Sequence, residues 1–456
     1  MSLKAISPLD GRYRKSTEPL AECFSEWALI KFRLEVEVRW LLFLSESSWI
    51  PEVRPFMGEE QGFLEGLLTG FGDESADRVK AIEGEIQHDV KAVEYYLKER
   101  IRETSLAPLG EFVHFGCTSE DINNLAYALM LRQGVGIWLG VAERLVSRVA
   151  EDAEASRDVA MLAHTHGQPA SPTTVGKELA VFVYRWRRQV EAIQTFQYLG
   201  KFNGAVGNFN AHWAAYPEVP WPEVARAFVE SLGLTYNPLT TQIEPHDYMA
   251  ELFHAVARFN TIAVDFCRDI WLYISKGYFH QAAIAGHVGS STMPHKINPI
   301  HFENAEANFL ISNALLNFLA SKLPVSRLQR DLSDTSTLRN VGVAIGHSFV
   351  ALRSSERGLD VLSINENRLA EDLDANWETL AEAIQTVMRK EGVERPYEQL
   401  KALTRGTAIT EDGMKAFVAS LPISADGRER LLRLTPRDYT GLASQLVQAL
   451  APTEEK

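Results

Sequence analysis

Cysteine is scarce. Cys23, Cys117 and Cys267 are widely separated. Three is an odd number, and the spacing matches no metal-ligand pattern. A disulfide framework and a cysteine metal site are therefore not expected, and a reducing compartment is. Positive charge is in deficit: 46 Lys and Arg face 60 Asp and Glu, a net charge of −14. Broad nucleic-acid or anionic-membrane surfaces need spread positive charge, so neither is expected. A few local cations can still serve one anionic substrate. No run approaches the roughly 20 uninterrupted apolar residues that span a bilayer. The opening MSLKAISPLDGRYRK lacks an apolar core of signal-peptide length, and the expected location is cytoplasmic. Strand signals are sparse too, with no series of alternating apolar runs joined by two-residue turns. No internal repeat or low-complexity segment stands out.

What is present is an ordinary soluble composition, 46% hydrophobic and 23% charged, in 456 residues, enough for more than one domain. Proline and glycine are unevenly placed. Neither occurs from His246 to Lys276, where Met249, Leu252, Val256, Phe259, Ile262, Phe266, Ile270 and Ile274 recur every three or four residues. That is a helical stripe, and about 31 residues at roughly 1.5 Å each make a rod of about 46 Å. Lys177 to Leu199 repeats the pattern, and Ile300 to Leu323 is again free of both breakers. Helices this long need long partners, so a bundle is expected. The predicted fold class is all-α, in three helical domains: 1–110, a central long-helix bundle over 111–360, and 361–456.

Four stretches break the apolar logic: QHDVKAVEYY from Gln87, HFGCTSEDINN from His114, AHTHGQPAS from Ala163 and GSSTMPHKINP from Gly289. For His164 and His166 three readings are open. They mark a helix end before Gly167 and Pro169, act in acid–base chemistry, or begin a metal site for which no third ligand stands at readable spacing. Thr118-Ser119-Glu120-Asp121 suits a helix N-cap, and the same geometry can hold an anion. His88-Asp89 reads as a local pair on a helix surface. The last stretch is neither a Walker A loop nor a GxSxG elbow. Its glycine, hydroxyls and Lys296 suit a loop that handles a carboxylate.

GSSTMPHKIN fits in full the ten-residue signature of the fumarase/aspartase superfamily, and the other clusters precede it in that superfamily's order. The chain resembles the adenylosuccinate lyase branch in its longer bacterial form. The marks are SPLDGRY, TTQIEPHDY, MPHKINPIHFENAEAN and SKLPVSRLQRDLSDTSTLRN, and the resemblance covers essentially the whole chain. Gln87 is a departure, because the branch often has Asn or Arg before His-Asp.

The resemblance implies a β-elimination that breaks a C–N bond and releases fumarate. The substrates implied are adenylosuccinate, giving AMP, and the succinyl-carboxamide ribotide, giving its free carboxamide. It implies Ser290 as general base and His166 as general acid. Arg12, Tyr13, Arg330, Thr335, Ser336 and Arg339 match phosphate-end positions. Thr118, Ser119, Lys296 and Asn298 match the dicarboxylate end, with His88, Asp89 and Gln242 nearby. Gln87 and Asn304 are counted with the substrate-binding residues. A homotetramer is implied, each active site drawing on three subunits; no metal or organic cofactor is. The nearest rivals are argininosuccinate lyase, fumarase and aspartase, which have no phosphate to bind. A non-catalytic structural role, as in lens proteins, is disfavoured by the presence of His166 and Ser290.

Overall fold

The computed structural model describes residues 3–282, 293, 295–404 and 409–451. The chain is mostly helical, and its strands are short pairs: Ala160–Met161 with Thr173–Thr174, His164–Thr165 with Gln168–Pro169, Leu199–Gly200 with Thr235–Tyr236, and Phe279–Gln281 with Leu362–Ile364. Two of the breaker-free stretches become the helices Asp247–Ser275 and Ile300–Lys322. The third forms Val175–Gln194 and stops short of its stripe. Beyond it Phe196 turns edge-to-face on Tyr198, and Leu199 enters a parallel strand pair.

The longest helix, Ser119–Ala155, has 37 residues, about 55 Å at roughly 1.5 Å per residue. The breaker pattern missed it because Gly134, Gly136 and Gly140 interrupt it. Gly134 is there for space, since a Cβ at that position would lie 2.3 Å from Cε2 of Phe24. By length and composition this helix is apolar enough to cross a membrane, yet 67% of its most apolar window is buried inside the protein, as in a core helix.

The chain divides into two compact units, one of Met1–Ala142, Gln189–Thr261 and Ala307–Arg353, the other of Glu143–Arg188, Ile262–Glu306 and Ser354–Lys456. In the first unit a buried polar chain ties four helices together. Trp138 Nε1 donates to Ser348 Oγ at 2.8 Å, and Ser348 Oγ donates to Asn260 Oδ1 at 2.7 Å. Asn260 Nδ2 donates to Ser312 Oγ at 3.1 Å, and Ser312 Oγ donates to the Ala344 carbonyl at 2.8 Å. Trp138, Ser348, Asn260 and Ser312 are fully buried. Slipping one helix along another would leave these groups unpaired at about 1–3 kcal/mol each, so the chain fixes register where apolar packing alone tolerates sliding.

In the second unit Phe182, Trp186 and Phe302 all meet Phe266 edge-on, with ring centroids 5.2–6.4 Å apart. A separate core gathers the C-terminal helices. Leu380, Ile384 and Met388, four residues apart on one face, pack with Met414, Val418 and Leu431. Thr410 and Ser424 cap two of those helices by accepting from Gly413 and Gly427 N–H, each cap contributing about 1 kcal/mol.

Candidate active site

The Gln87-His88-Asp89 stretch is the turn between the helices Asp73–Ile86 and Asp89–Ile101. Gln87 ends the first helix in the left-handed region, with φ 56°. His88 caps the second, its Nδ1 accepting from Lys91 N–H at 3.2 Å. With Nδ1 used as an acceptor, a neutral ring carries its proton on Nε2 as an outward donor. Asp89 looks inward. Its Oδ2 lies 2.8 Å from Nη2 of the buried Arg33 and 3.5 Å from Nη2 of Arg339. Burial pushes its pKa up, but the Arg33 charge and hydrogen bond outweigh burial and hold the carboxyl below its ordinary value.

From Arg33 a continuous polar network runs across distant stretches of chain. Arg33 Nε donates to Asn123 Oδ1 at 2.8 Å, and Asn123 Nδ2 donates to Glu120 Oε1 at 2.7 Å. The same Glu120 oxygen lies 2.9 Å from Arg330 Nη2. Arg330 donates onward to Gln242 Oε1 at 3.2 Å and Thr335 Oγ1 at 3.1 Å. Asp89, Gln242, Arg330, Thr335 and Arg339, predicted separately from the sequence, thus meet in one network. Arg33, Asn123 and Glu120 link them without having been predicted. Arg33 carried no local signal, Asn123 lay in the flagged HFGCTSEDINN stretch without a role of its own, and Glu120 read as a helix-cap acid.

The helix Ser119–Ala155 begins just after Thr118, with Glu120 and Asp121 in its first turn. Asp121 Oδ2 accepts from Thr118 N–H at 2.8 Å, the reach-back half of a capping box. The N-cap expectation therefore holds, but Asp121 is fully buried and its Oδ1 lies 2.8 Å from Lys201 Nζ, also fully buried. Upstream, His114 Nδ1 lies 2.5 Å from Glu37. Burial alone would lower the His114 pKa, and the Glu37 carboxylate more than reverses that, so it stands above the ordinary value. Arg12 and Tyr13 precede the helix Arg14–Phe24, and Ser336 follows Thr335 in the short helix Ser333–Leu338.

The second unit carries the remaining predicted residues. His166 and Gly167 have φ of 53° and 73° and join two paired strands, as a two-residue type I′ hairpin turn requires. The helix-end reading of this stretch gives way to a hairpin that presents the exposed His166 ring at its tip. His164 Nε2 lies 3.1 Å from Lys276 Nζ. Burial, then the Lys276 charge, lower its pKa. Among the described residues no three His, Cys, Asp or Glu side chains are grouped as metal ligands. Lys296 is exposed and Asn298 half-buried, and Gln281 Nε2 donates to the Ile297 carbonyl at 3.0 Å. Asn304 lies in the first turns of Ile300–Lys322. Ser290 lies outside the described residues.

Two protein families match the chain: one described as lyase, over residues 11–310, and one as adenylosuccinate lyase C-terminal, over residues 326–440. An adenylosuccinate lyase of Haemophilus influenzae is 51% identical over 452 residues, covering 99% of both chains. One of Escherichia coli K12 is 52% identical over 451 residues, covering 98% of this chain and 99% of the relative. The solved fumarate lyase from Mesorhizobium sp. BNC1 has the same fold, with a TM-score of 0.76 at 19% identity over 95% of this chain and 97% of that one. So has a 3-carboxy-cis,cis-muconate lactonizing enzyme from Pseudomonas putida, with a TM-score of 0.72 at 22% identity over 94% and 95%. The chain belongs to the adenylosuccinate lyase family.

Proposed function

We propose that the chain releases fumarate by β-elimination from adenylosuccinate, leaving AMP, and from the succinyl-carboxamide ribotide, leaving the free carboxamide, in purine nucleotide synthesis. Ser290 removes the proton from the carbon next to a succinyl carboxylate. The electron pair spreads onto that carboxylate as an aci-carboxylate, then forms the double bond as the C–N bond breaks. His166 gives its proton to the departing nitrogen. A serine hydroxyl is a poor base, so its alkoxide needs backbone N–H groups and a nearby cation such as Lys296. The hairpin tip suits His166 to its role, because a two-residue turn holds the ring away from its own strands and open to a reactant.

Arg12, Tyr13, Arg330, Thr335, Ser336 and Arg339 receive the phosphate, for which the arginine fork is well shaped. Thr118, Ser119, Lys296 and Asn298 receive the dicarboxylate, with Gln87, His88, Asp89, Gln242 and Asn304 beside them. The chain works as a cytoplasmic homotetramer with active sites shared between subunits, its three domains spanning 1–110, 111–360 and 361–456. The self-contained core of the C-terminal helices supports the last of these.

One observation carries this choice of substrate. The adenylosuccinate lyase C-terminal match starts at residue 326 and takes in Arg330, Thr335, Ser336 and Arg339. Three of them lie in the same polar network as Gln242 and Asp89. Superfamily lyases without a phosphate to bind have no use for that cluster. The test is turnover of adenylosuccinate against argininosuccinate, followed by ultraviolet absorbance. Turnover of the first alone is expected, and turnover of the second alone would refute the assignment.

A further inference from the structure

We infer that Asp121, acting through its buried pair with Lys201, is a positioning residue for the reaction. It holds Thr118, Ser119 and Gln242 in fixed relation at the dicarboxylate end, an inference that rests on the elimination proposed above.

The Asp121 carboxylate is fully buried and gathers donors from two separate stretches of chain. Oδ1 lies 2.8 Å from Lys201 Nζ and accepts from Asn203 N–H at 2.9 Å. Oδ2 accepts from Thr118 N–H at 2.8 Å and from Gly204 N–H at 3.1 Å. Lys201 is anchored in turn. Its Nζ donates to the Gly204 carbonyl at 3.2 Å, and Asn124 bonds both its backbone N–H and its backbone carbonyl. A third stretch is then tied on. Asn203 Nδ2 donates to Thr240 Oγ1 at 2.8 Å, and Gln242 Nε2 donates to the Ala205 carbonyl at 2.9 Å. Residues 118–121, 201–205 and 240–242 therefore share one hub.

A helix cap explains only the Thr118 bond, and a capping acid gains nothing from full burial. Taking both charges out of water is costly, and apolar residues of the same volume would fill the space without that cost. What such residues cannot supply is direction. One carboxylate with several fixed donors sets the angle between residues 118–121 and 201–205, and Asn203 and Ala205 carry that setting on to 240–242. The first and last of these stretches carry predicted substrate contacts. Adjacent Glu120 faces Arg330 at 2.9 Å, so neighbouring acids on one helical turn organise the two ends of the site, and the two networks meet at Gln242. The donors at the dicarboxylate end act on developing charge, where small displacements cost rate.

The test compares Asp121→Asn, Asp121→Glu and the double variant Asp121→Asn/Lys201→Met, with adenylosuccinate as substrate. Asp121→Asn leaves the Lys201 charge buried without its partner, and loss of fold is an expected outcome for it. The double variant removes both charges and is expected to unfold near the wild-type temperature. Its kcat/KM should still fall about 100-fold, with KM raised at least about fivefold. Loss of folded protein alone lowers the apparent kcat and leaves KM unmoved. If the double variant does not fold, Asp121→Glu decides, because it keeps the charge but displaces the carboxylate by one methylene. The same fall is expected there. Wild-type kcat and KM in a folded double variant, or in Asp121→Glu, would overturn the inference. No turnover by the unsubstituted chain would count instead against the proposed reaction.

Discussion

Arg330 Nη2 lies 2.9 Å from Oε1 of Glu120, a carboxylate whose side chain is only 3% exposed. Burial raises the Glu120 pKa above its ordinary value, against the opposing pull of Arg330. The arginine compensates a costly buried acid and also turns its remaining donors to Gln242 and Thr335.

Arg330→Lys separates those duties. An ammonium can keep Glu120 compensated, but it cannot reproduce the planar fork that reaches Gln242 and Thr335 together. Thermal unfolding is expected to change by no more than about 1 kcal/mol in stability, while KM for adenylosuccinate rises about tenfold through lost charge-assisted hydrogen bonds. Steady-state kinetics beside a melting curve checks both. An unchanged KM would remove Arg330 from the phosphate end.

Gly167→Ala tests the hairpin. A Cβ at Gly167 meets nothing within 4 Å, so the cost is purely conformational, about 1–2 kcal/mol for a side chain in the left-handed region. The turn relieves that strain by shifting, and His166 shifts with it. A fall in kcat of about tenfold or more, with only a small loss of stability, is expected from kinetics and thermal unfolding. An unaltered kcat would show that the turn does not place the acid.

Stability should carry a pH signature from Glu244, two residues past Gln242. Burial raises its pKa from 4.5 to about 7, while Asn237 Nδ2 and His246 N–H donate to it. The folded state therefore holds more protons than the unfolded state between about 4.5 and about 7. The stabilising contribution is complete below the lower value and is lost as pH rises through the upper one, by about 3 kcal/mol. Burial lowers the His246 pKa to about 4, and that group acts in the opposite sense over much of the same range. The readout is therefore the difference between wild type and Glu244→Gln in urea unfolding at a series of pH values. That difference should vary between pH 4.5 and 7 and be flat above it. A constant difference across the range would contradict the burial effect.

The stripes over 246–276 and 300–323 were legible because buried helix faces repeat every three or four residues, and each became one helix. The helix Ser119–Ala155 was not, because Gly134 resembles a breaker until Phe24 is seen against it. At the site, the sequence displayed Asp89, Gln242 and Arg330 as chemistry-bearing residues but concealed how they are joined. Arg33 is one of seven charged residues in the helix Glu26–Glu46, with nothing local to single it out, and Lys201 stands before a glycine-bearing loop with no periodic signal. Helical period reports which face is buried. It is silent on which polar group meets which across distant stretches of chain, and so Asp121 read as a cap while its burial with Lys201 stayed hidden.

The central claim is the division of labour between Ser290 and His166. Its most direct test measures turnover of adenylosuccinate by Ser290→Ala and His166→Ala alongside the mass of each assembly in solution. Each variant is expected to lose about a thousandfold or more in kcat while keeping the wild-type oligomeric mass. Near-normal turnover in either variant would contradict the role assigned to that residue.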